Sequence, residues 1–142
     1  MFVATPADAQ ANGSISGTVT DDNGAPLDQV LVCTFSESTA TGSCATTASD
    51  GSYTIDLLST ASDHRVEFLD TTGLHTAEFY DDTTDFNQVT LIPVAAGQTV
   101  TGIDASLSLA GQISGTITDT NGNPIAQITA CLLYTSPSPR DS

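Results

Sequence analysis

The groups able to do chemistry in this chain are few: three cysteines, two histidines and seventeen carboxylates, with no lysine and two arginines. His64 and His75 are the only imidazoles, and neither stands in a metal-ligand pattern such as H-E-x-x-H. No G-x-S-x-G elbow or phosphate-binding loop occurs. Both histidines therefore read as surface or strand residues. The sequence names no catalytic residue, no cofactor and no metal-ligand set. Asp81-Asp82-Thr83-Thr84-Asp85 and Asp21-Asp22-Asn23-Gly24 do supply oxygens of the kind calcium takes. Neither has the alternating spacing of an EF-hand loop, and both are ordinary turn compositions. A sugar platform would need exposed aromatics, and there is no tryptophan. Phe79, Tyr80 and Phe86 flank the acidic loop; Phe79 is expected to point inward, which leaves Tyr80 as a thin platform.

Cys33 and Cys44 fall on consecutive predicted strands joined by a short loop. In an oxidising compartment they would bridge it. The alternative is a pair of buried thiols acting as small apolar residues. Compartment favours the bridge. Phe2-Val3-Ala4 resembles the end of an apolar signal segment, and Ala7-Asp8-Ala9 and Ala9-Gln10-Ala11 are small-x-small cleavage sites. Residues 1–11 thus read as the remnant of a signal peptide or a flexible terminus, and the protein as secreted or cell-surface. The competing reading is an Ala-rich terminus of a cytoplasmic protein.

A formal charge of −15 excludes nucleic acid and anionic membrane as partners, because both demand a Lys/Arg footprint. No run approaches the roughly 20 apolar residues that insert across a bilayer. With 39% apolar residues in regular alternation, the chain can nevertheless bury a core.

The elements that would position these groups are strands. Ile15, Gly17 and Val19 alternate with polar residues, and Asp21-Asp22-Asn23-Gly24 makes a turn. Val30 to Phe35 and a segment near Cys44 follow, and Asp50-Gly51 turns into Tyr53, Ile55 and Leu57, all three expected inside. Val66 and Phe68 alternate with Arg65 and Glu67. Ala77 to Tyr80 and Val89 to Ile92 supply two more strands. A last one puts Ile103, Ala105, Leu107 and Leu109 on the core face, with a bulge at Gly102. Seven or eight short strands predict a Greek-key sandwich.

The opening segment recurs. Gly13-Ser-Ile-Ser-Gly-Thr-Val-Thr-Asp-Asp-Asn-Gly-Ala-Pro-Leu27 returns as Gly111-Gln-Ile-Ser-Gly-Thr-Ile-Thr-Asp-Thr-Asn-Gly-Asn-Pro-Ile125, 98 residues on. That period is one immunoglobulin-like domain. The expected organisation is a complete sandwich over 12–109 and the truncated start of a second copy over 110–130. Residues 131–142 resemble a translated sequencing adapter and are read as an artefact, so the origin of Cys131 stays open.

Gly13-x-Ile15-x-Gly17-Thr18-Val19-x-Asp21, Gly24-x-Pro26-Leu27, Asp50-Gly51-Ser52-Tyr53-Thr54-Ile55 and Thr101-Gly102-Ile103-Asp104-Ala105 resemble the carboxypeptidase regulatory-like repeats of secreted bacterial proteins. These are similar to the B-type repeats of adhesins. The resemblance implies an all-β, immunoglobulin-like (prealbumin-like) sandwich in tandem, acting as a non-catalytic spacer beside other domains. Its partners would be neighbouring repeats or domains of the same chain. The lack of lysine removes the Lys–Asn or Lys–Asp cross-link that some adhesin repeats form. The alternative function is a carbohydrate- or Ca-binding accessory module, because the fold alone specifies no chemistry.

Overall fold

The computed structural model describes residues 11–132, so the readings of residues 1–10 and 133–142 lie outside it. The chain divides between Ala110 and Gly111 into two compact units.

The first unit is all-β, with nine strands among the described residues: β1 (Gly13–Asp21), β2 (Val30–Ser36), β3 (Thr41–Thr46), β4 (Ser52–Leu58), β5 (Ala61–Asp70), β6 (Glu78–Phe79), β7 (Ile92–Val94), β8 (Thr99–Val100) and β9 (Ala105–Leu107). They form two sheets. One holds β4, β1 and, along the other side of β1, the parallel β8 and β9. The other runs β3-β2-β5-β6, with β7 also on β5. Period-2 alternation in each sheet sends one set of side chains into the shared core. Ile15, Val19, Val32, Ile55, Val66, Phe68 and Leu107 are all buried there. Two sheets packed on one core make an immunoglobulin-like sandwich.

Two expected core residues lie outside. Leu57 is 78% exposed and Leu58 takes its place at 3%. Opposite them, Ile15 faces Ile55 but Gly13 faces Leu58, so β4 carries one extra residue. That residue is Leu57, in the left-handed region at φ 63°. A bulge reverses the parity of everything beyond it, and alternation read from the sequence cannot see it. Leu109 is 75% exposed because β9 stops at Leu107. Beyond it only an isolated bridge to His75 remains among the described residues, and a residue outside both sheets is not held on their core face.

The strand expected at Ala77 to Tyr80 shrinks to Glu78–Phe79. The one expected at Val89 to Ile92 moves to Ile92–Val94, because Phe86–Gln88 forms a 3₁₀ turn capped by the Asp85 carboxylate. Gly102 does interrupt the last strand, at φ 76°, and separates β8 from β9. Between them the chain passes so close to β1 that a Cβ on Gly17 would collide with the Ile103 carbonyl.

In the second unit no strand forms among residues 111–132. Ile113 is 83% exposed, and Ile117, Ile125 and Ile128 are exposed as well. The turn does form. The Asp119 carboxylate accepts from the Asn121 and Asn123 amides, as Asp21 accepts from Asn23 and Ala25. The bridge Thr118–Pro124 matches Thr20–Pro26.

Candidate functional site

Cys33 and Cys44 are direct cross-strand partners in β2 and β3 and form a disulfide, with Cα atoms 4.1 Å apart. Both side chains stand on the outer face of the sheet, since their neighbours Val32 and Thr34 point into the core. Cys131 is a free, exposed thiol.

The sandwich carries an open groove of about 350 Å³. Thr18 and Thr20 of β1, Asp104, Ala105 and Ser106 around β9, and Asp81 and Asp82 of the loop after β6 line it. Asp104 is partly committed: its Oδ1 accepts from the Thr18 amide at 2.8 Å and from the Thr18 hydroxyl at 3.2 Å. It thereby supplies a bond to β1 where the β8–β9 break removes one. Alternation in the sequence puts Asp104 on the outer face but assigns it no role.

Glu78 stands apart from the other acids. One carboxylate oxygen is enclosed with no hydrogen-bond partner among the described residues, although the residue as a whole is only part-buried. Burial first, then the negative charges of Asp82, Asp22 and Asp81, push its carboxyl up to about 7. Nothing in the sequence pattern singled it out.

The two acidic segments behave differently. Asp21 spends one oxygen on its own turn, and Asp85 caps the 3₁₀ turn through the Asn87 amide. Asp81 and Asp82 remain on the groove. Among the described residues no cluster of three His, Cys, Asp or Glu side chains is arranged to hold a metal ion.

The aromatic expectation inverts. Tyr80 packs against the core. Phe79 instead meets Phe86 edge-to-face at 5.7 Å, and the Arg65 guanidinium lies 4.9 Å from the Phe86 ring centre. Register explains it: Phe79 faces Glu67, an outward position of β5.

His64 is a strand residue, as expected, whereas His75 lies outside the named strands and is part-buried. His64 is fully buried on β5, its Nε2 2.9 Å from the Ser59 carbonyl and its Nδ1 3.3 Å from the Thr34 hydroxyl. Both ring nitrogens are thus occupied by structure. His75 pairs with Asp70 at 2.7 Å. Burial alone would raise the Asp70 carboxyl, but the Thr72 hydroxyl, His75 and the Thr72 amide together hold it down at about 2.

A two-sheet sandwich whose histidines are structural, and whose groove at Asp81, Asp82 and Asp104 is open and acidic, falls in the class of β-sandwich modules. A family model of the carboxypeptidase regulatory-like domain matches residues 14–108. The chain belongs to that family, whose members are non-catalytic β-sandwich modules. No curated protein matches it.

Proposed function

We propose that the chain is a structural spacer repeat of a secreted or cell-surface protein, set beside further copies or other domains. The observation that carries this reading is the recurrence of one opening segment 98 residues on, with the same turn hydrogen bonds around Asp21 and Asp119. A sequence that rebuilds the same turn at a domain-length period is what a string of sandwiches requires. Residues 1–11 are then a leader or flexible terminus, 12–109 one full repeat and 110–130 the start of the next. On this view the exposed Ile113, Ile117, Ile125 and Ile128 are core residues in the longer protein, where a whole second sandwich surrounds them. A solvent-facing disulfide suits an oxidising exterior, where such bonds persist.

The alternative, a Ca- or carbohydrate-binding module, has the acidic groove at Asp81, Asp82 and Asp104 in its favour. Titration calorimetry with CaCl₂ and a glycan array separate the two. Saturable binding in either assay overturns the spacer reading. Deleting residues 110–142 leaves the melting of the first unit unchanged if 12–109 is a full repeat, and a drop of several degrees contradicts that boundary.

A further inference from the structure

Among the described residues β3 is an edge strand, bonded only to β2, and its six residues Thr41–Thr46 pair with β2 without a register break. The Thr47 amide donates to the Val30 carbonyl. Antiparallel pairs alternate between hydrogen-bonded and non-bonded, so Val32–Ala45 and Thr34–Ser43 are bonded pairs, while Cys33–Cys44 is a close, non-bonded one. Its short Cα separation of 4.1 Å fits that parity. The N–H and C=O groups of Gly42, Cys44 and Thr46 therefore point away from β2, and all three residues are exposed. For Gly42 that exposure is backbone itself.

Natural edges are blunted by charge, proline, bulges or brevity. The other edges of this sandwich use these devices. β4 has Asp56 and the Leu57 bulge, β6 has two residues, and β7 has three with Pro93. β3 has none of them. From Ser38 to Ser49 there is no charged residue, in a chain of net charge −15. Of the strands longer than three residues, only β2 and β3 are uncharged, and β2 is central. The Cys33–Cys44 bond also ties the edge to its neighbour, so little ordering is left to be done on docking.

We infer that β3 is a self-association edge, pairing antiparallel with β3 of a second copy of this chain about a two-fold axis at Cys44. Charge selects the occupant. A second β3 is a strand this acidic chain can bring to the edge with no carboxylate facing a carboxylate. The two-fold register sets Gly42 against Thr46 of the other copy and Cys44 against Cys44. Each facing pair exchanges both its N–H···O bonds, and the two sheets become one. The rest of each molecule repels the other, so the contact strengthens as salt screens the charge.

The test uses the full chain carrying Cys131→Ser, which removes the exposed thiol. Sedimentation is followed up to millimolar concentration at low salt and at about 1 M NaCl, where the Debye length is about 3 Å. A dimer favoured by salt is expected. Thr46→Pro removes one outward N–H while sparing the bonds to β2, and weakens that dimer about tenfold or more. Amide exchange on the unsubstituted strand reads the geometry directly. On dimerisation, Gly42, Cys44 and Thr46 gain protection while Ser43 and Ala45, already bonded to β2, do not. A chain that stays monomeric throughout overturns the inference, and so does a dimer that protects amides elsewhere or ignores Thr46→Pro.

Discussion

The Tyr53 hydroxyl donates a 2.6 Å hydrogen bond to the Ile103 carbonyl, joining β4 to the β8–β9 connection across 50 residues of sequence. It satisfies a carbonyl that the strand break would otherwise leave buried, and the ring packs edge-to-face on Phe68 at 6.0 Å. Tyr53→Phe keeps the ring and removes the bond. The expected cost is about 1–3 kcal/mol, the usual penalty for stranding a buried polar group. Thermal melting reads it as a drop of several degrees, since about 1 kcal/mol moves a domain of this size by roughly 4–8 °C. Burial first, then the nearby Asp104 carboxylate and Tyr80, push the Tyr53 phenol up from its ordinary value. Absorbance titration should find one tyrosine that resists ionisation well above pH 10.0, the ordinary value.

The bulge in β4 gives a paired test. Leu58→Ala should cost about 2–4 kcal/mol through lost burial and a cavity. Leu57→Gly should instead stabilise by roughly 0.5–1 kcal/mol, because a left-handed backbone strains a branched residue more than glycine's extra unfolded-state entropy costs. Chemical denaturation of both variants checks this. The reverse order would restore the simple alternation.

Reducing the disulfide should destabilise the first unit modestly. Cys33 and Cys44 are 11 residues apart, so the loop they close is short. Loop-closure entropy then limits the effect to about 2–3 kcal/mol. Melting of Cys33→Ser/Cys44→Ser against the parent measures it, with a cooperative transition retained.

Stability should peak in mildly acidic solution. The folded Glu78 carboxyl keeps its proton up to about 7, whereas in the unfolded chain it ionises near its ordinary 4.5. Between those values the folded state binds more protons, so stability falls as pH rises. Asp70 acts oppositely: its folded pKa of about 2 lies below the ordinary 3.8, so its contribution is full above 3.8 and lost as pH falls toward 2. Glu78→Gln should flatten the decline on the neutral side. Its gain at pH 8 is under about 1 kcal/mol once solvent screening of a part-exposed group is allowed for. Denaturation at pH 4.5 and pH 8 should show the gain only at the higher pH.

Local patterns were legible directly. Alternation in Ile15–Val19, Val30–Phe35 and Val66–Phe68 identified the core faces, and Asp21–Gly24 and Asp50–Gly51 announced their turns, because strand period and turn chemistry depend on neighbours in sequence. The motifs at Gly13–Asp21, Asp50–Ile55 and Thr101–Ala105 marked the carboxypeptidase regulatory-like domain. Other features needed the fold. The parity change that puts Leu58 inside and Leu57 outside depends on one unpaired residue opposite β1. Phe79 faces outward because its partner on β5 is Glu67, and Tyr80 turns to the core. The pairing of His75 with Asp70 and the isolation of Glu78 depend on burial and on charges from distant loops. Alternation along a strand sets a side chain's direction only up to the next bulge. What it meets there is decided by register and packing, which link residues the sequence keeps far apart.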